Sequence, residues 1–135
     1  MNEQKPLKVI HIMLWVAQLI LAVSFLWAAE MKLFSPTEKL ALMWPWVAQV
    51  PELLVKFTGV ADFLAAIGLL LPSLLRIRPE LTPVTALGVI VLMGCAIIFH
   101  LTRGEASVIG ANVAFAVMAA FIAWGRFGKA PIRPK

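Results

Sequence analysis

Hydrophobic residues gather in four long runs along the chain, and polar residues fill the connections between them. A helix that crosses a bilayer needs about 20 mostly apolar residues. The four runs meet this requirement and cover residues 9–29, 53–75, 82–101 and 106–125. The pattern predicts an all-α membrane protein, a four-transmembrane-helix bundle that forms a single domain over residues 1–135.

The connection between the first two spans has a pattern of its own. Ser35 is followed by Pro36 and then by Glu38, the order found at a capped helix start, with proline in the first helical position. Apolar residues follow until Pro45 interrupts the run. We therefore expect a short helix from Pro36 to Met43, lying in the membrane interface.

Composition supports a membrane environment and excludes several kinds of site. Hydrophobic residues make up 61% of the chain, against about 45–50% in soluble domains, and the mean hydropathy is +0.92. The single cysteine, Cys95, cannot form an intramolecular disulfide, and no CxxC pair or nucleotide-binding glycine motif is present. The hydrophobic composition makes the lipid bilayer the expected partner. No cofactor is encoded, and the chain is not expected to be an enzyme on its own.

The basic residues predict an orientation. The net charge is +5, but no basic stripe with interleaved aromatic residues is present, so nucleic acid is not an expected partner. Eight Lys and Arg residues fall on the side that holds both termini, and four fall on the other. By the positive-inside rule, the N- and C-termini are expected in the cytoplasm and the protein in the inner (plasma) membrane.

Tryptophans are expected to mark the two interfaces of the membrane. By this topology Trp15 and Trp124 lie toward the inner interface. Three others lie toward the outer one: Trp27, Trp44 and Trp46.

Polar residues converge on the outer half of the predicted bundle. Asp62 is the deepest charge, about 13 Å along its helix from Leu53 at 1.5 Å per residue. Charged groups inside a membrane usually face the bundle interior and have partners. We therefore expect the Asp62 carboxylate to bind one of Lys32, His100, Arg103 or Asn112. The candidate ligand or proton-linked site comprises Asp62, His100, Lys32, Asn112, Arg103, Glu105 and Glu30.

The same residues have a structural interpretation, in which plain ion pairs hold the helices together. If they form a site, the apolar side chains beneath them are its expected lining: Phe25, Met93 and Phe115. Such a pocket suits an amphipathic ligand. No metal site is predicted, because His11 and His100 lie on opposite sides of the membrane and no ligand spacing is present.

Three segments carry a family resemblance. Residues 25–33 read FLWAAEMKL, similar to F-L-x-A-G-x-x-K-L, and residues 59–72 read GVADFLAAIGLLLP, similar to G-x-x-E-x-x-G-A-x-G-L-L-L-P. Residues 100–105 read HLTRGE, similar to H-x-x-x-G-[ED]. In this order over about residues 10–125, the chain resembles the DoxX-like family of small four-helix bacterial membrane proteins. It departs from the family pattern where Asp62 replaces Glu, and where Ala29 and Ala65 replace Gly.

The resemblance implies a four-helix membrane fold and leaves function open. The family takes its name from a subunit tied to thiosulfate:quinone oxidoreduction, and distant four-helix relatives act as assembly or cargo factors. The leading hypothesis is an accessory oxidoreductase subunit that binds a quinone-like or lipid-like molecule in a polar-capped pocket at the outer end.

Two alternatives come from other functional classes. The first is a chaperone or assembly factor that binds a membrane or periplasmic protein, or a second copy in a homo-oligomer, through small-residue faces. These faces are Gly59 with Ala66, and Ala116 with Ala119 and Ala123. The second alternative is a proton-coupled transporter of a small solute.

Overall fold

The computed structural model describes residues 4–135, with side chains from residue 6 onward, and its regular structure over that range is helical. Four long helices are apolar enough to cross a membrane, which confirms the predicted all-α fold. Lys5, one of the eight cations on the terminal side, lies outside the described side chains. The long helices are α1 (Gln4–Phe34), α3 (Glu52–Leu75), α4 (Leu81–Thr102) and α5 (Gly110–Trp124).

The ends of two spans differ from those predicted. Helix α1 is longer than the predicted 9–29 at both ends. Helix α5 begins at Gly110 rather than residue 106, because Ala106–Val108 forms a separate 3-10 turn. At its other end α5 continues into a π-helical turn, Gly125–Lys129. This extension carries a basic residue into the bundle.

Consecutive spans are antiparallel and pack in the order α1, α3, α4, α5. Helix α1 packs most extensively against α3, and α4 against α5, while α1 and α5 meet less closely. We call the end that holds both chain termini the terminal end. The opposite end, which holds the α1–α3 and α4–α5 connections, is the loop end.

An apolar core fills the bundle between these ends. Its buried members are alanines and larger side chains, including Leu21, Phe25, Leu69, Met93 and Ile122. Large apolar side chains also cover the outside, where Val23, Val91 and Val117 are more than 60% exposed. An apolar exterior of this extent suits contact with lipid.

Glycines allow α1 to approach its neighbours closely. A Cβ added at Gly59 would lie 3.0 Å from Lys32 Cβ, and one added at Gly125 would lie 2.5 Å from Leu14 Cδ1. Lys56 then closes the end of α1, since its ammonium donates to the Lys32 and Leu33 carbonyls at 3.2 and 2.8 Å. These carbonyls lack helical partners, so a cation there stabilises the helix end.

The predicted short helix is present as α2 (Thr37–Met43), at the loop end between α1 and α3. Leu40 anchors it, since this side chain is buried against Val47 and Val55. The predicted capping box was wrong: Pro36 takes the N-cap position and makes no side-chain cap. Ser35 lies one residue too early, and its hydroxyl instead contacts Met31 Sδ at 3.7 Å.

Candidate functional site

The centre of the loop end is an ion pair between α1 and α3. Lys32 Nζ lies 2.7 Å from Asp62 Oδ2, and the two side chains are only 14% and 3% exposed. Gly59 is one helical turn before Asp62 and permits the close approach of α1. The expectation that Asp62 points into the bundle and binds one of the four candidate partners is confirmed, and the partner is Lys32.

Two tryptophans from the α2–α3 connection cover this pair. The Lys32 ammonium lies 5.8 Å from the Trp44 ring centre and 5.9 Å from that of Trp46. Indole faces attract cations at this range. The ammonium is therefore held by a carboxylate and two aromatic rings.

A second polar group lies at the end of α4. Glu105 Oε1 is 3.1 Å from His100 Nδ1, and it accepts a hydrogen bond from Arg103 Nε at 2.9 Å. Arg103 also donates to Gln49 in the α2–α3 connection. The hydrogen bonds from His100 and Arg103 hold the pKa of Glu105 below its ordinary value.

The indole of Trp46 lies between the two groups. Its ring centre is 6.3 Å from the His100 ring, in an edge-to-face arrangement, and it also faces Lys32. Asp62 and His100 thus lie at the same end of the bundle, but each binds a different partner. We call Lys32, Asp62, His100, Arg103 and Glu105 the loop-end polar layer.

Two predicted site residues make no side-chain hydrogen bond within the described part of the chain. Glu30 is exposed, and Asn112 is half-buried on α5. The expected lining residues are core residues: Phe25 and Met93 are buried, and the Phe115 ring lies 5.4 Å from that of Phe25.

Apolar space is found instead in two grooves on either side of α1. The groove between α1 and α3 has a volume of about 150 Å³. It is lined by Ala22, Val23, Leu26, Ala66, Ile67, Leu70, Leu71 and Leu74. The groove between α1 and α5 has a volume of about 260 Å³. It is lined by Ile12, Met13, Val16, Ala17, Ile20, Met118 and Phe121.

The terminal end contains a polar group that sequence reasoning missed. Arg126 is only 3% exposed, and its Nε donates to Gln18 Oε1 at 2.7 Å. Its Nη1 lies 3.0 Å from His11 Nδ1 and donates to the Ala130 carbonyl at 2.7 Å. The guanidinium also lies 5.6 Å from the Trp15 ring centre.

Gln18 extends this network across the bundle. Its amide nitrogen donates to the Leu69 carbonyl at 2.7 Å and lies 3.4 Å from Ser73 Oγ. Ser73 and Thr82 share a hydrogen bond of 2.7 Å. The contacts join all four spans, and we call His11, Gln18, Ser73, Thr82 and Arg126 the terminal-end polar layer.

A signal for Arg126 was present in the sequence. The residue follows buried Ala119 by seven positions and buried Ile122 by four, so it continues the inward stripe of α5. Arg126 was not predicted as a site residue, because the predicted fourth span ends at residue 125.

The apolar core separates the two layers. Lys32 follows Gln18 by fourteen positions on α1, which corresponds to about 21 Å of helix. Within the described residues, no three His, Cys, Asp or Glu side chains are grouped so as to hold a metal ion. The groups available for a ligand are therefore ion pairs, amides and indoles at the ends, with apolar grooves between them.

Comparison with known protein families matches residues 16–122 to the DoxX-like family. Neither the curated proteins nor the solved structures gave a match. The matched segment contains the whole loop-end polar layer, while His11 and Arg126 fall just outside it. It spans all four transmembrane helices and well over half of the chain, so the protein belongs to the DoxX-like family.

Proposed function

We propose that this membrane protein is a non-catalytic accessory subunit that binds a quinone-like or lipid-like molecule. The polar head of the ligand lies at the Lys32–Asp62 pair, and its apolar tail lies in the α1–α3 groove. One observation carries the proposal: the groove begins about one turn of α3 below Asp62, at Ala66. A polar cap above an apolar cleft is the usual arrangement for an amphipathic ligand.

The loop-end groups suit a head that carries oxygen acceptors. An ammonium has three N–H donors. Among the described side chains, Lys32 donates one hydrogen bond, to Asp62. The remaining donors can bind a carbonyl or phosphate oxygen. Trp44 and Trp46 offer ring surfaces beside it. The chain's part in this function is to hold and orient the molecule.

The test is mass spectrometry of small molecules retained after purification in mild detergent. Val23 lines the α1–α3 groove and is 62% exposed, so Val23→Trp fills the groove without disturbing the core. Val16→Trp is the matched control, since Val16 lines the other groove. We expect wild type and Val16→Trp to retain the molecule and Val23→Trp to lose it. Equal retention by all three proteins would refute the proposal.

The ion pair is tested separately from the groove. Asp62→Asn keeps the size of the side chain but removes the charge that orients the Lys32 ammonium. We expect weaker retention of the ligand from a folded protein. Unchanged retention, together with a normal melting profile, would leave the pair with a structural role alone.

Assembly of other membrane proteins is the second candidate. The small-residue faces first considered are used inside the bundle: Gly59 packs on Lys32 and Leu33, and Ala119 is fully buried. Gly88 on α4 is different, because it is exposed and an added Cβ would meet nothing within 4 Å. Its small size therefore leaves room for a partner helix. Gly88→Leu should abolish co-purification of such a partner while leaving ligand retention intact.

The third candidate, a proton-coupled transporter, has no observation in its favour. The two polar layers lie about 21 Å apart along α1, and the apolar core fills the interior of the bundle between them.

The proposed location is the inner (plasma) membrane, with the terminal end in the cytoplasm. The eight-to-four distribution of Lys and Arg supports this orientation. In a Cys95→Ala background, Lys39→Cys at the loop end should react with a membrane-impermeant thiol reagent in spheroplasts. Lys129→Cys should react only after the membrane is opened. The reverse result would invert the topology.

A further inference from the structure

The guanidinium of Arg126 is not neutralised by any described side chain. Arginine has five N–H donors. Three are used, by the Gln18 side-chain oxygen, His11 Nδ1 and the Ala130 carbonyl. The Nη2 atom is buried and makes no hydrogen bond within the described part of the chain. Two donors of this buried cation therefore have no acceptor among the described residues.

The acceptors of Arg126 among the described residues are all neutral. Gln18 and Ala130 contribute amide oxygens. An arginine N–H can only donate, so His11 Nδ1 must accept, and the imidazole is then the uncharged tautomer with its proton on Nε2. Buried charges are costly unless they are paired and hydrogen-bonded. The arrangement calls for an anion from outside the described residues.

An apolar groove lies between α1 and α5, the same two helices that carry most of the terminal-end polar layer, although no residue of that layer lines it. Helix α1 supplies His11 and Gln18 to the polar layer, and it supplies Ile12, Val16 and Ile20 to the groove. These three groove residues are at least half exposed, so the groove faces lipid. From Ile12 to Ile20 the groove follows about 12 Å of helix, enough for part of an acyl chain.

We propose that Arg126 anchors an anionic lipid at the terminal end. The phosphate oxygens of the lipid accept hydrogen bonds from Nη2, and one acyl chain lies in the α1–α5 groove. Arginine forms paired hydrogen bonds with phosphate oxygens, and such charge-assisted bonds are strong. The guanidinium is covered, so the phosphate reaches it after a small side-chain movement near the half-buried His11 and Ala130.

The charge around the site fits the same ligand. Lys8 lies three residues before His11, Lys129 lies three residues after Arg126, and both are exposed. Anionic membrane surfaces attract basic groups next to the ends of spans. An apolar groove between the same helices favours a lipid over a free anion, because only a lipid can occupy both the groove and the cationic site. The site is at the opposite end of the bundle from the proposed ligand pocket and does not depend on it.

The experiment is native mass spectrometry of the full chain in detergent micelles, titrated with phosphatidylglycerol or with phosphatidylcholine. Wild type should bind phosphatidylglycerol at least about tenfold more tightly, and Arg126→Gln should remove this preference, since one lost charge-assisted contact is worth at least that factor. Lys129→Gln removes the same charge at an exposed position and should change the preference by no more than about twofold. Equal preference in Arg126→Gln and wild type would overturn the proposal.

Substitutions in the α1–α5 groove give a second, independent test of the proposal. Val16→Trp should weaken phosphatidylglycerol binding with Arg126 intact, whereas Val23→Trp in the other groove should not, so this pair decides the question even if Arg126→Gln fails to fold. Inorganic phosphate is then titrated as a competitor. If it displaces phosphatidylglycerol at low concentration, and Val16→Trp has no effect, the cation binds a free anion and the lipid proposal is wrong.

Discussion

The two polar layers differ in how their charges are compensated. In the loop-end polar layer each Lys or Arg meets a carboxylate: Lys32 binds Asp62, and Arg103 binds Glu105. At the terminal end Arg126 is more deeply buried than either cation, yet its described partners are neutral. In the loop-end layer the charges of the Lys and Arg side chains are matched by carboxylates. The terminal-end layer holds a surplus positive charge, which is why the two layers suggest different ligands.

The difference also predicts how each layer responds to mutation. In a balanced pair, removal of one partner leaves an uncompensated charge, while removal of both can be neutral. In an unbalanced network, removal of a neutral acceptor leaves the cation with still fewer partners. Mutations that separate these behaviours test the comparison directly.

The largest effect is expected at the loop-end ion pair. Asp62→Leu leaves the Lys32 ammonium buried without its carboxylate and should cost about 3 kcal/mol of unfolding free energy. Combining it with Lys32→Met should restore stability to within about 1 kcal/mol of wild type. Reversible unfolding by SDS in mixed micelles measures both values.

The double variant also separates structure from function. If it is stable and still retains every ligand found with wild type, the pair holds helices together and the site hypothesis fails. If the single and double variants are equally unstable, the two residues do not form an energetically coupled pair.

The next largest loss of stability is expected where the end of α5 meets α1. Gly125→Ala places a methyl group 2.5 Å from Leu14 Cδ1, and the repacking should cost about 1–3 kcal/mol. This contact holds the turn that carries Arg126 inward. Gly128→Ala is the matched control, since a Cβ there meets nothing within 4 Å. Equal melting temperatures for the two variants would show that the terminal end is loosely packed.

Substituting one glutamine at each end of the bundle then compares the two layers directly. Gln18→Leu removes an acceptor from Arg126 and a donor from the Leu69 carbonyl, both buried, and should cost about 1–3 kcal/mol. Gln49→Leu removes an exposed acceptor of Arg103 and should cost less than about 0.5 kcal/mol. The same SDS titration serves for both, and a larger loss from Gln49→Leu would reverse the ranking of the layers.

The sequence predicted the spans and much of the loop end for physical reasons. Hydropathy sets the length of a span, and a charge as deep as Asp62 must face inward and find a partner. Which partner it finds depends on helix rotation and on the α2–α3 connection, and a hydropathy pattern fixes neither. His100 and Arg103 were therefore correctly placed at the same end but not assigned to Glu105.

The terminal end was harder to predict because of one helix boundary. Apolar character fades after Trp124, so the predicted span ends at residue 125 and leaves Arg126 in the C-terminal tail. The backbone instead continues as a π-helical turn, and Gly125 lets it pack against Leu14. Helix ends are set by local packing as well as by composition, so a boundary residue can be buried where its type suggests exposure.

The smallest predicted effect is a pH dependence at the loop end. The pKa of Glu105 is held below its ordinary value of 4.5 by the hydrogen bonds from His100 and Arg103. Its charged form therefore contributes stability above pH 4.5, and that contribution is lost as the pH falls through the lowered value. Glu105→Gln should melt below wild type at pH 7, and the gap should close as the pH falls below 4.5.

Glu80→Gln is the control at the terminal end. Glu80 lies 3.9 Å from Arg78 in a largely exposed pair, and such pairs contribute little. The melting temperature of this variant should follow that of wild type at every pH. If Glu105→Gln behaves in the same way, the Glu105 contacts are not maintained in the membrane protein. If its gap to wild type widens as the pH falls, the direction of the Glu105 pKa shift is wrong, and the loop-end layer is less well balanced than its geometry indicates.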